Sequence, residues 1–369
     1  MASREVGVAL LGVGTVGGAV ARTITEQGTV IEARTGIRLV VRRALARSRE
    51  RVVQAGLPPE VATIEIDDVL GDDQVEVVVE ALGGEEPAAT YLCRSLEAGK
   101  HVVTANKEAL AKHFAELAAA ARAAGRALLF EASVGGGIPL MASLRQILSV
   151  NRVTRIRGIV NGTTNYILTR MAAEGLPFEA ALAEAQAHGY AEADPSDDID
   201  GRDAAYKLAI LASIAFQSRV AIDSVYCEGI RRIRARDITY ARELGYVIRL
   251  LAIGKEVAHN GRAALELRVH PTLLPAHHPL AAVSDVFNAI FVRGNAVGDV
   301  MFYGRGAGQM PTASAVWSDI VEIARAVAHG VRRYAKWCGS RKNSVLLVVS
   351  ALMNATRSSA PLAGSVRRA

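Results

Sequence analysis

Short apolar runs alternate with longer amphipathic segments over the N-terminal part of the chain. The apolar runs are typical of strands buried in a parallel sheet, and the segments between them have the length and periodicity of helices. Regular alternation of strand and helix predicts an α/β domain in this part. The predicted strands are Val6–Leu11, Arg38–Ala46, Val75–Glu80, His101–Thr104 and Ala127–Phe130.

The alternation changes from about Gly137 onward. A strand is predicted at Val153–Val160, and three helical segments follow it before the pattern becomes one of mixed strands and turns after Ile230. The three helical segments are one that ends near Glu174, Phe178–His188 and Gly201–Phe216. The pattern therefore predicts a second domain of the α+β class.

The length and composition indicate a globular protein of more than one domain. The chain has 369 residues, enough for two or three domains, and half of its residues are hydrophobic. The formal net charge of +6 comes from arginines scattered among acids, with no aromatic interleaving and no recognisable nucleic-acid motif. This charge indicates a mild preference for small anionic ligands, and nucleic acid is not expected as a partner.

The cysteines and the apolar runs indicate the compartment. Cys93, Cys227 and Cys338 show neither paired nor metal-type spacing, which fits a reduced, cytoplasmic compartment. Residues 1–5 lead directly into the first predicted strand, so no signal peptide is visible. No run of about eighteen apolar residues occurs, so neither a transmembrane helix nor a membrane partner is expected.

The first predicted strand ends directly in a glycine-rich turn, and a helix is predicted after it. The pattern G-x-G-x-x-G between a strand and a helix is the fingerprint of dinucleotide binding. Gly12 permits the tight turn, Gly14 lets the backbone approach a pyrophosphate, and Gly17 lets the helix pack close to the strand. The helix N-terminus attracts the anion. The predicted cofactor-binding residues of the turn are Gly12, Gly14, Thr15, Val16 and Gly17.

The end of the second predicted strand bears on the choice between NAD and NADP. A site that prefers NAD usually has an acid at this point, where it holds the ribose hydroxyls. The sequence here is Ala46-Arg47-Ser48-Arg49, with no acid at the strand end. Arg47 and Arg49 could instead hold the 2′-phosphate of NADP, which favours NADP over NAD. The alternative, that both arginines belong to a solvated loop, has equal weight.

A lysine and a run of glycines follow later strands of the first domain. Lys107 comes just after the strand His101–Thr104, and the carboxyl end of a parallel strand faces the crevice in which open α/β sheets bind ligands. An ammonium at a helix N-terminus is electrostatically misplaced unless another group holds it, which favours a function over an ordinary exposed lysine. The run Gly135-Gly-Gly137 indicates backbone pressed against a ligand, an ion or another segment, although a flexible domain junction explains it almost as well.

An acid-rich stretch runs from Gly189 to Lys207 and enters the long predicted helix. Asp200 is predicted to be the N-cap of that helix, with Asp203 at the N3 position. Asp203 and Lys207 are spaced i, i+4, so both side chains lie on one helix face, with the acid in the favourable N-terminal place. A solvated acidic loop before an ordinary capped helix also explains the stretch when it is considered alone.

Six motifs occur in order over roughly residues 5–330. They are the glycine fingerprint, Ala105-Asn-Lys-Glu108, Glu131-Ala-Ser-Val-Gly-Gly-Gly-Ile-Pro139, Asn161-Gly-Thr-Thr-Asn165, Gly189-Tyr-Ala-Glu-Ala-Asp-Pro195 through Asp203 to Lys207, and Gly304-Arg-Gly-Ala-Gly308 before Pro311-Thr312. In content and in order, these motifs resemble those of the homoserine dehydrogenase family. The resemblance implies reversible, NAD(P)-dependent conversion of L-aspartate 4-semialdehyde to L-homoserine, in the biosynthesis of threonine, methionine and isoleucine.

The resemblance also implies a domain organisation. A Rossmann dinucleotide-binding domain is expected at 1–135, with residues 300–330 returning to it. A substrate-binding and dimerisation domain of the α+β class is expected at 136–300, and the protein is expected to be a homodimer.

The resemblance further implies roles for individual residues. The catalytic lysines are Lys107, which also contacts the cofactor, and Lys207, which also contacts the substrate. The substrate-binding acids are Glu192, Asp198 and Asp203. The monovalent-cation site, for Na or K, is Glu131, Val134, Gly136 and Ile138. The segment that returns to the cofactor carries Gly306 and Gly308. Residue chemistry agrees, because the acids suit the polar groups of an amino-acid substrate and a lysine can supply a proton to the carbonyl oxygen as hydride arrives.

Many members of the family carry a further domain that senses threonine, and this chain is expected to lack it and the inhibition that it mediates. Residues 331–369 are an unassigned tail, which a partner-binding helix, a buried segment or a shifted reading frame would each explain. Two rival functions stay open. One is a dehydrogenase for a related amino-acid semialdehyde, and the other is a catalytically inactive NADP-binding regulatory protein.

Overall fold

A computed structural model describes residues 3–260, 262–329, 346–347 and 367–368. The chain forms two compact units. The first contains the described residues of Met1–Met141 and Ala307–Gly339, and the second those of Ala142–Gly306 and Ser340–Ala369. No helix among the described residues has the length and apolar character needed to cross a membrane. The predicted tail lies outside the described residues, except for 346–347 and 367–368.

The strands of the first unit form a parallel sheet, and helices connect them. The strands are β1 (Arg4–Leu11), β2 (Ile37–Leu45), β3 (Ala62–Thr63), β4 (Val77–Glu80), β5 (His101–Thr104) and β6 (Leu128–Leu129). The helices are α1 (Thr15–Thr35), α2 (Arg49–Gln54), α3 (Ile66–Leu70), α4 (Ala88–Glu97) and α5 (Lys107–Ala124). The strand order is β3-β2-β1-β4-β5-β6, and every neighbouring pair runs parallel.

The register of the central strands brings their carboxyl ends to one edge of the sheet. Glu80, the last residue of β4, is aligned with Leu11 of β1 on one side and with Thr104 of β5 on the other. Residues 6–11 of β1 are buried, as an apolar strand covered on both faces requires. The loops after β1, β4 and β5 therefore lie side by side, which is where α/β sheets bind ligands.

The second unit is built on a mixed sheet with helices packed on it. Its strands are β7 (Val153–Ile159), β8 (Tyr226–Cys227), β9 (Tyr246–His259), β10 (Arg262–Pro275), β11 (Phe287–Gly294), β12 (Gly298–Arg305), β13 (Leu346–Leu347) and β14 (Arg367–Arg368). Its helices are α6 (Leu140–Val150), which begins at the boundary of the units, α7 (Gly162–Glu174), α8 (Phe178–Ala187), α9 (Ser196–Ile199), α10 (Arg202–Ala215) and α11 (Ala235–Glu243).

Strand order in this sheet is β12-β11-β7-β9-β10-β13, and β8 and β14 also pair with β10. The long strands β9 and β10 form a hairpin, and α10 packs closely on it. A Cβ atom on Gly254 of β9 would lie 3.1 Å from Phe216 and 3.5 Å from Leu208, so the missing side chain makes room for the helix. This close packing fixes α10, which carries Asp203 and Lys207, against the sheet.

The chain returns to the first unit through helix α12 (Gln309–Ala328). Val316 and Ile320 of α12 are fully buried in the same apolar core as Val20 of α1 and Leu10 of β1. Helix α12 therefore completes one side of the parallel sheet.

The predicted architecture, a parallel α/β domain followed by a second domain, is confirmed. Two predictions of local structure are wrong. Helix α11 (Ala235–Glu243) lies in the region predicted to contain only strands and turns, and the short helix α9 (Ser196–Ile199) interrupts the acid-rich loop.

Candidate active site

The glycine turn after β1 has the geometry predicted for it. Gly12 has φ of +92°, and a Cβ on Gly17 would lie 1.9 Å from the Gly12 carbonyl oxygen. No heavy atom of the described residues lies within 4 Å of a Cβ built on Gly14, so the backbone faces open space there. Gly14 is the N-cap of α1 and no side chain caps the helix. The exposed N–H groups of this helix start suit a pyrophosphate.

Arg47 lies near the same edge of the sheet. The N–H of Gly12 donates to the carbonyl of Leu45 at 2.9 Å, so the end of β2 adjoins the glycine turn, and Arg47 follows two residues later with an exposed side chain. Arg49 has a structural partner, because its Nε donates to the carbonyl of Pro59 at 2.9 Å. Arg47 is the better placed of the two arginines to contact a ligand.

A buried carboxylate organises the loops after β4 and β5. Glu80 is 0% exposed, and its oxygens accept hydrogen bonds from the N–H of Leu82 at 2.8 Å and the hydroxyl of Thr104 at 2.5 Å. The amide of Asn106 donates to Glu80 at 3.3 Å and to the carbonyl of Gly84 at 2.7 Å. Sequence reasoning missed Glu80. The sequence feature that could have identified Glu80 is an acid as the last residue of an otherwise apolar strand.

Lys107 occupies the first position of α5. Asn106 is the N-cap of this helix, and its Oδ1 accepts the N–H of Ala109 at 3.0 Å. The bonds of Asn106 to Glu80 and Gly84 therefore fix the residue that precedes Lys107. The lysine lies half-buried at the carboxyl edge of the sheet, as predicted from its place after β5.

The segment that begins at Glu131 forms a buried turn in the first unit. Glu131 is 3% exposed, and its Oε1 accepts the N–H groups of Leu140 and Met141, each at 2.6 Å, at the start of α6. Gly135 and Gly136 have φ of +83° and +56°, so the run of glycines forms a turn that other residues adopt rarely.

Asp203 and Lys207 form a buried ion pair in the second unit. They lie four residues apart on α10, are 2% and 8% exposed, and have Nζ and Oδ2 at 2.7 Å. Lys207 Nζ also donates to the carbonyl of Val160 at 2.7 Å. The carboxylate and the carbonyl thus hold the ammonium at the end of β7.

Asn161 joins this pair to a second acid. Its Nδ2 donates to Asp203 Oδ2 at 2.9 Å and to Asp198 Oδ1 at 2.7 Å, while its Oδ1 accepts the N–H of Thr164 at 2.8 Å and caps α7. Sequence reasoning placed Asn161 in a motif but gave it no role. An asparagine between a strand and a helix signals the cap, but nothing local signals the bonds to the acids.

Glu192 is separate from this cluster. Its side chain is exposed, and among the described residues no hydrogen bond joins its carboxylate to Asp198, Asp203 or Lys207. The carbonyl of Glu192 accepts a bond from Gln186 at 3.0 Å, which fixes the backbone and leaves the carboxylate turned to solvent.

The prediction that Asp200 caps the long helix is wrong. The N-cap is Gly201, with φ of +86°, and Asp200 is the C-cap of the short helix α9. Arg231 forms an ion pair with Asp200, including an Nη2–Oδ2 bond of 3.1 Å, which draws the carboxylate away from α10. Because the helix begins one residue later than predicted, Asp203 is its second residue rather than its third.

Gly306 and Gly308 lie between β12 and α12. Gly308 is the N-cap of α12 with φ of +127°. In the next residue, Gln309, Nε2 donates to the carbonyl of Thr15 at 3.1 Å. The start of α12 therefore contacts the glycine turn within the first unit.

The family of this chain follows from comparison with known proteins. The family model described as the NAD-binding domain of homoserine dehydrogenase matches residues 12–131, and the model described as homoserine dehydrogenase matches residues 139–321. The homoserine dehydrogenase of Corynebacterium glutamicum is 50% identical over 328 residues, which cover 89% of this chain and 74% of that protein. The Bacillus subtilis enzyme is 45% identical over 328 residues, 89% of this chain and 75% of that protein.

Solved structures of homoserine dehydrogenases have the same fold as this chain. A homoserine dehydrogenase from Thiobacillus denitrificans superposes with a TM-score of 0.85 at 43% identity, over 90% of this chain and 76% of that one. A hyperthermophilic archaeal homoserine dehydrogenase in complex with NADPH superposes with a TM-score of 0.73 at 30% identity, over 86% of this chain and 97% of that one. The chain therefore belongs to the homoserine dehydrogenase family, as its ordered motifs predicted, and its function is that of a homoserine dehydrogenase of amino-acid biosynthesis with a nicotinamide dinucleotide cofactor.

Proposed function

We propose that the chain reversibly reduces L-aspartate 4-semialdehyde to L-homoserine with NADPH, using Lys207 as the proton donor. The observation that carries this assignment is the cluster formed in the second unit by the buried Lys207, Asp203 and Asn161 with the partly buried Asp198. It combines an oriented ammonium with carboxylates that can take the polar end of an amino-acid substrate.

The proton step belongs to Lys207. The nicotinamide, when bound, supplies the hydride. Lys207 Nζ gives a proton to the carbonyl oxygen as that oxygen becomes a hydroxyl, and takes a proton from the hydroxyl in the reverse direction. Asp203 and the carbonyl of Val160 each accept a hydrogen bond from Nζ at 2.7 Å, which supports this role because the reacting group is held in place before the substrate arrives.

Lys107 is the second catalytic lysine of the proposal and also contacts the cofactor. Its backbone position is set by the N-cap Asn106, which is in turn bonded to the buried Glu80. A cation at the carboxyl edge of a nucleotide-binding sheet stabilises negative charge on the substrate or the cofactor.

The substrate is recognised by acids on the acid-rich stretch. Asp198 and Asp203 are held by Asn161, and the exposed carboxylate of Glu192 is available to the substrate ammonium. An amino-acid substrate needs a charge-assisted acceptor for its ammonium, which these three acids supply.

NADP is the proposed cofactor, bound at the glycine turn. The residues fit it, because Gly14 leaves open space at an uncapped helix start. Thr15 and Val16 form the first turn of α1, and Gly306 and Gly308 complete the proposed contacts. The exposed guanidinium of Arg47 near the end of β2 suits a 2′-phosphate.

A monovalent cation, Na or K, is proposed at Glu131, Val134, Gly136 and Ile138. Glu131 supplies a buried negative charge, and the left-handed φ of Gly135 and Gly136 forms the turn from which backbone carbonyls would complete an oxygen-ligand set. The ion would tie this turn to the start of α6, which Glu131 already caps.

A homodimer in the cytoplasm completes the proposal. Tyr303 stacks on Phe287 with ring centroids 5.2 Å apart and is 55% exposed, and the guanidinium of Arg305 lies 5.4 Å from the centre of the Phe287 ring. An exposed aromatic and arginine cluster on a sheet is typical of protein interfaces. The thiols of Cys93 and Cys227 are free, which agrees with a reducing compartment.

A steady-state assay tests the activity and the cofactor preference together. Oxidation of NADPH and of NADH is followed at 340 nm with L-aspartate 4-semialdehyde and with a panel of related semialdehydes. The proposal expects turnover with aspartate semialdehyde and a higher kcat/KM with NADPH than with NADH. Preferred turnover of another semialdehyde, or cofactor binding with no turnover, would support one of the rival functions.

A further inference from the structure

Asn288 of β11 is a buried amide without hydrogen-bond partners in the described part of the chain. The residue is 0% exposed, and neither Nδ2 nor Oδ1 has a partner there. Buried side-chain amides are nearly always paired, because an unsatisfied donor or acceptor loses its bonds to water and gains nothing in return. A polar side chain kept in this state requires an explanation in the function of the protein.

Asn288 adjoins the anchor of Lys207. Strands β7 and β11 are antiparallel, with Gly158 aligned to Ile290 and Ile159 aligned to Ala289. Val160 directly follows Ile159 and Asn288 directly precedes Ala289, so both residues adjoin the same end of this ladder. The carbonyl of Val160 is the one that accepts the hydrogen bond of Lys207.

The backbone of Gly306 covers the Asn288 amide. A Cβ on Gly306 would lie 1.8 Å from Asn288 Nδ2, so only glycine fits at this contact. Two residues later Gly308 has φ of +127°, and the side chain of Gln309 reaches the carbonyl of Thr15 in the glycine turn. We call Gly304–Gly308 the glycine crossover, since it joins the contact with Asn288 to the start of α12.

The peptide groups of the glycine crossover and the carboxamide of Asn288 have complementary hydrogen-bonding groups. A peptide group offers one N–H and one carbonyl, and the carboxamide of Asn288 offers a carbonyl and an NH2. Among the described residues the crossover lies against the amide without a hydrogen bond to it. A small rotation of peptide groups next to a glycine would pair the two.

We propose that Asn288 is a positioning residue for the glycine crossover. Binding of NADPH at the glycine turn shifts the crossover through α12, and its peptide groups then pair with the Asn288 carboxamide beside the Val160 carbonyl that anchors Lys207. This inference rests on the proposed NADP site. It explains why an unpaired amide is retained at this position, since the partners of the amide arrive with the cofactor.

The test is Asn288→Leu, an apolar side chain of similar shape, with two readouts on the full chain. The first is the Tm of the ligand-free protein, and the second is the Kd for NADPH from protein fluorescence. We expect a ligand-free Tm at or above that of the wild type, because an unpaired buried amide is removed. We also expect a Kd about tenfold higher, because the bonds that form on cofactor binding are lost.

Asn151 provides a matched control. Its Oδ1 accepts the N–H groups of Ala296 at 3.2 Å and Val297 at 2.8 Å, so its partners are groups of the chain itself. Asn151→Leu should therefore lower the ligand-free Tm and leave the Kd for NADPH unchanged. Asn288→Leu should thus change the Kd for NADPH without lowering the Tm, and Asn151→Leu should lower the Tm without changing the Kd. This difference separates an amide that is paired on cofactor binding from a structural one.

A Kd for Asn288→Leu within about twofold of the wild type would overturn the proposal. Asn288→Ala is the second variant, for the case in which leucine does not fit, and failure of both variants to fold would assign Asn288 a structural role and also overturn it. Turnover of the wild type is measured beside these variants. A wild type inactive on every semialdehyde would contradict the proposed function. The role of Asn288 is tested separately, by the Kd for NADPH.

Discussion

Lys207 donates a hydrogen bond of 2.7 Å to Asp203, one helical turn before it, and both side chains are almost fully buried. A buried charge pair is costly to desolvate and is retained where its geometry serves a purpose. Here the pair is extended by Asn161 to Asp198 and by Lys207 to the end of β7. The arrangement fixes a proton donor among groups that suit an amino-acid substrate.

Asn161→Ser separates the two functions of Asn161. Serine caps a helix about as well as asparagine does, so α7 keeps its N-cap. The bonds from Nδ2 to Asp198 and Asp203 are lost, and no further charge is placed beside these acids. We expect a Tm above that of a variant without the cap and a fall in kcat/KM for aspartate semialdehyde of about 10- to 100-fold.

The control for this prediction is Asn161→Ala, which removes the cap and the bridge together and should lower both the Tm and kcat/KM. Wild-type kinetics in Asn161→Ser would show that the bridge to the acids has no part in catalysis.

Glu80→Gln tests the buried carboxylate at the carboxyl edge of the parallel sheet. Glu80 accepts bonds from Leu82, Thr104 and Asn106, and a glutamine amide would place a donor against one of these donors. We expect the free energy of unfolding, measured in urea, to fall by about 2 kcal/mol. Glu65→Gln, at an exposed position, should leave it within about 0.5 kcal/mol of the wild type. Equal stability of the two variants would contradict the importance of the Glu80 network.

Protonation of His101 should make the free energy of unfolding depend on pH. Burial, assisted by the positive charge of Arg126, lowers the pKa of His101 to about 4. The folded chain therefore leaves this imidazole neutral between pH 6.5 and 4, while the unfolded chain protonates it. Because the unfolded state binds more protons in this window, stability is lost as the pH falls through it.

Between pH 7 and pH 5 this contribution is about 2 kcal/mol of the free energy of unfolding. Urea titrations at pH 7 and pH 5 measure how far the free energy of unfolding falls between the two values. For His101→Asn this fall should be smaller than for the wild type by about 2 kcal/mol. His259→Asn, on an exposed residue, is the control and should follow the wild type. Parallel losses in all three proteins would mean that His101 titrates normally.

Arg47→Ala tests the choice of NADP. The exposed guanidinium can pair with a 2′-phosphate, and its loss should raise KM for NADPH about tenfold and leave KM for NADH unchanged. Arg49→Ala is the matched control, because Arg49 is engaged with the carbonyl of Pro59. If Arg47→Ala changed neither KM, the arginine would belong to a solvated loop.

Local pattern was enough to predict much of the fold and part of the candidate site. The apolar runs located β1, β2, β4 and β5, and the i, i+4 spacing placed Asp203 and Lys207 on one helix face, where they form their ion pair. Helix α11 escaped prediction because only Ile238 and Ala241 are buried in it, which leaves little apolar periodicity. The Asp200 cap failed because Gly201 takes a left-handed φ and Arg231 binds the carboxylate.

The remaining contacts depend on long-range register. Asn161 meets Asp198 and Asp203 from 37 and 42 residues away, and Glu80 meets Thr104 from 24 residues away. Such pairs form only when the ends of separate strands and the starts of separate helices come together in the fold. They therefore cannot be predicted from the local sequence pattern. The unpaired amide of Asn288 is of the same kind, since it is defined by Gly306 on the neighbouring strand-to-helix connection.

The turnover number of Lys207→Ala with NADPH and L-aspartate 4-semialdehyde is the decisive test of Lys207 as the proton donor. If Lys207 is the proton donor, kcat falls by ~10²–10⁴-fold while NADPH binding is kept. Lys207→Arg should fail similarly, because a guanidinium keeps the charge beside Asp203 but does not release its proton. Lys112→Ala, on α5 and paired with Glu108, should turn over at the wild-type rate. A kcat for Lys207→Ala close to that of the wild type would exclude Lys207 as the proton donor.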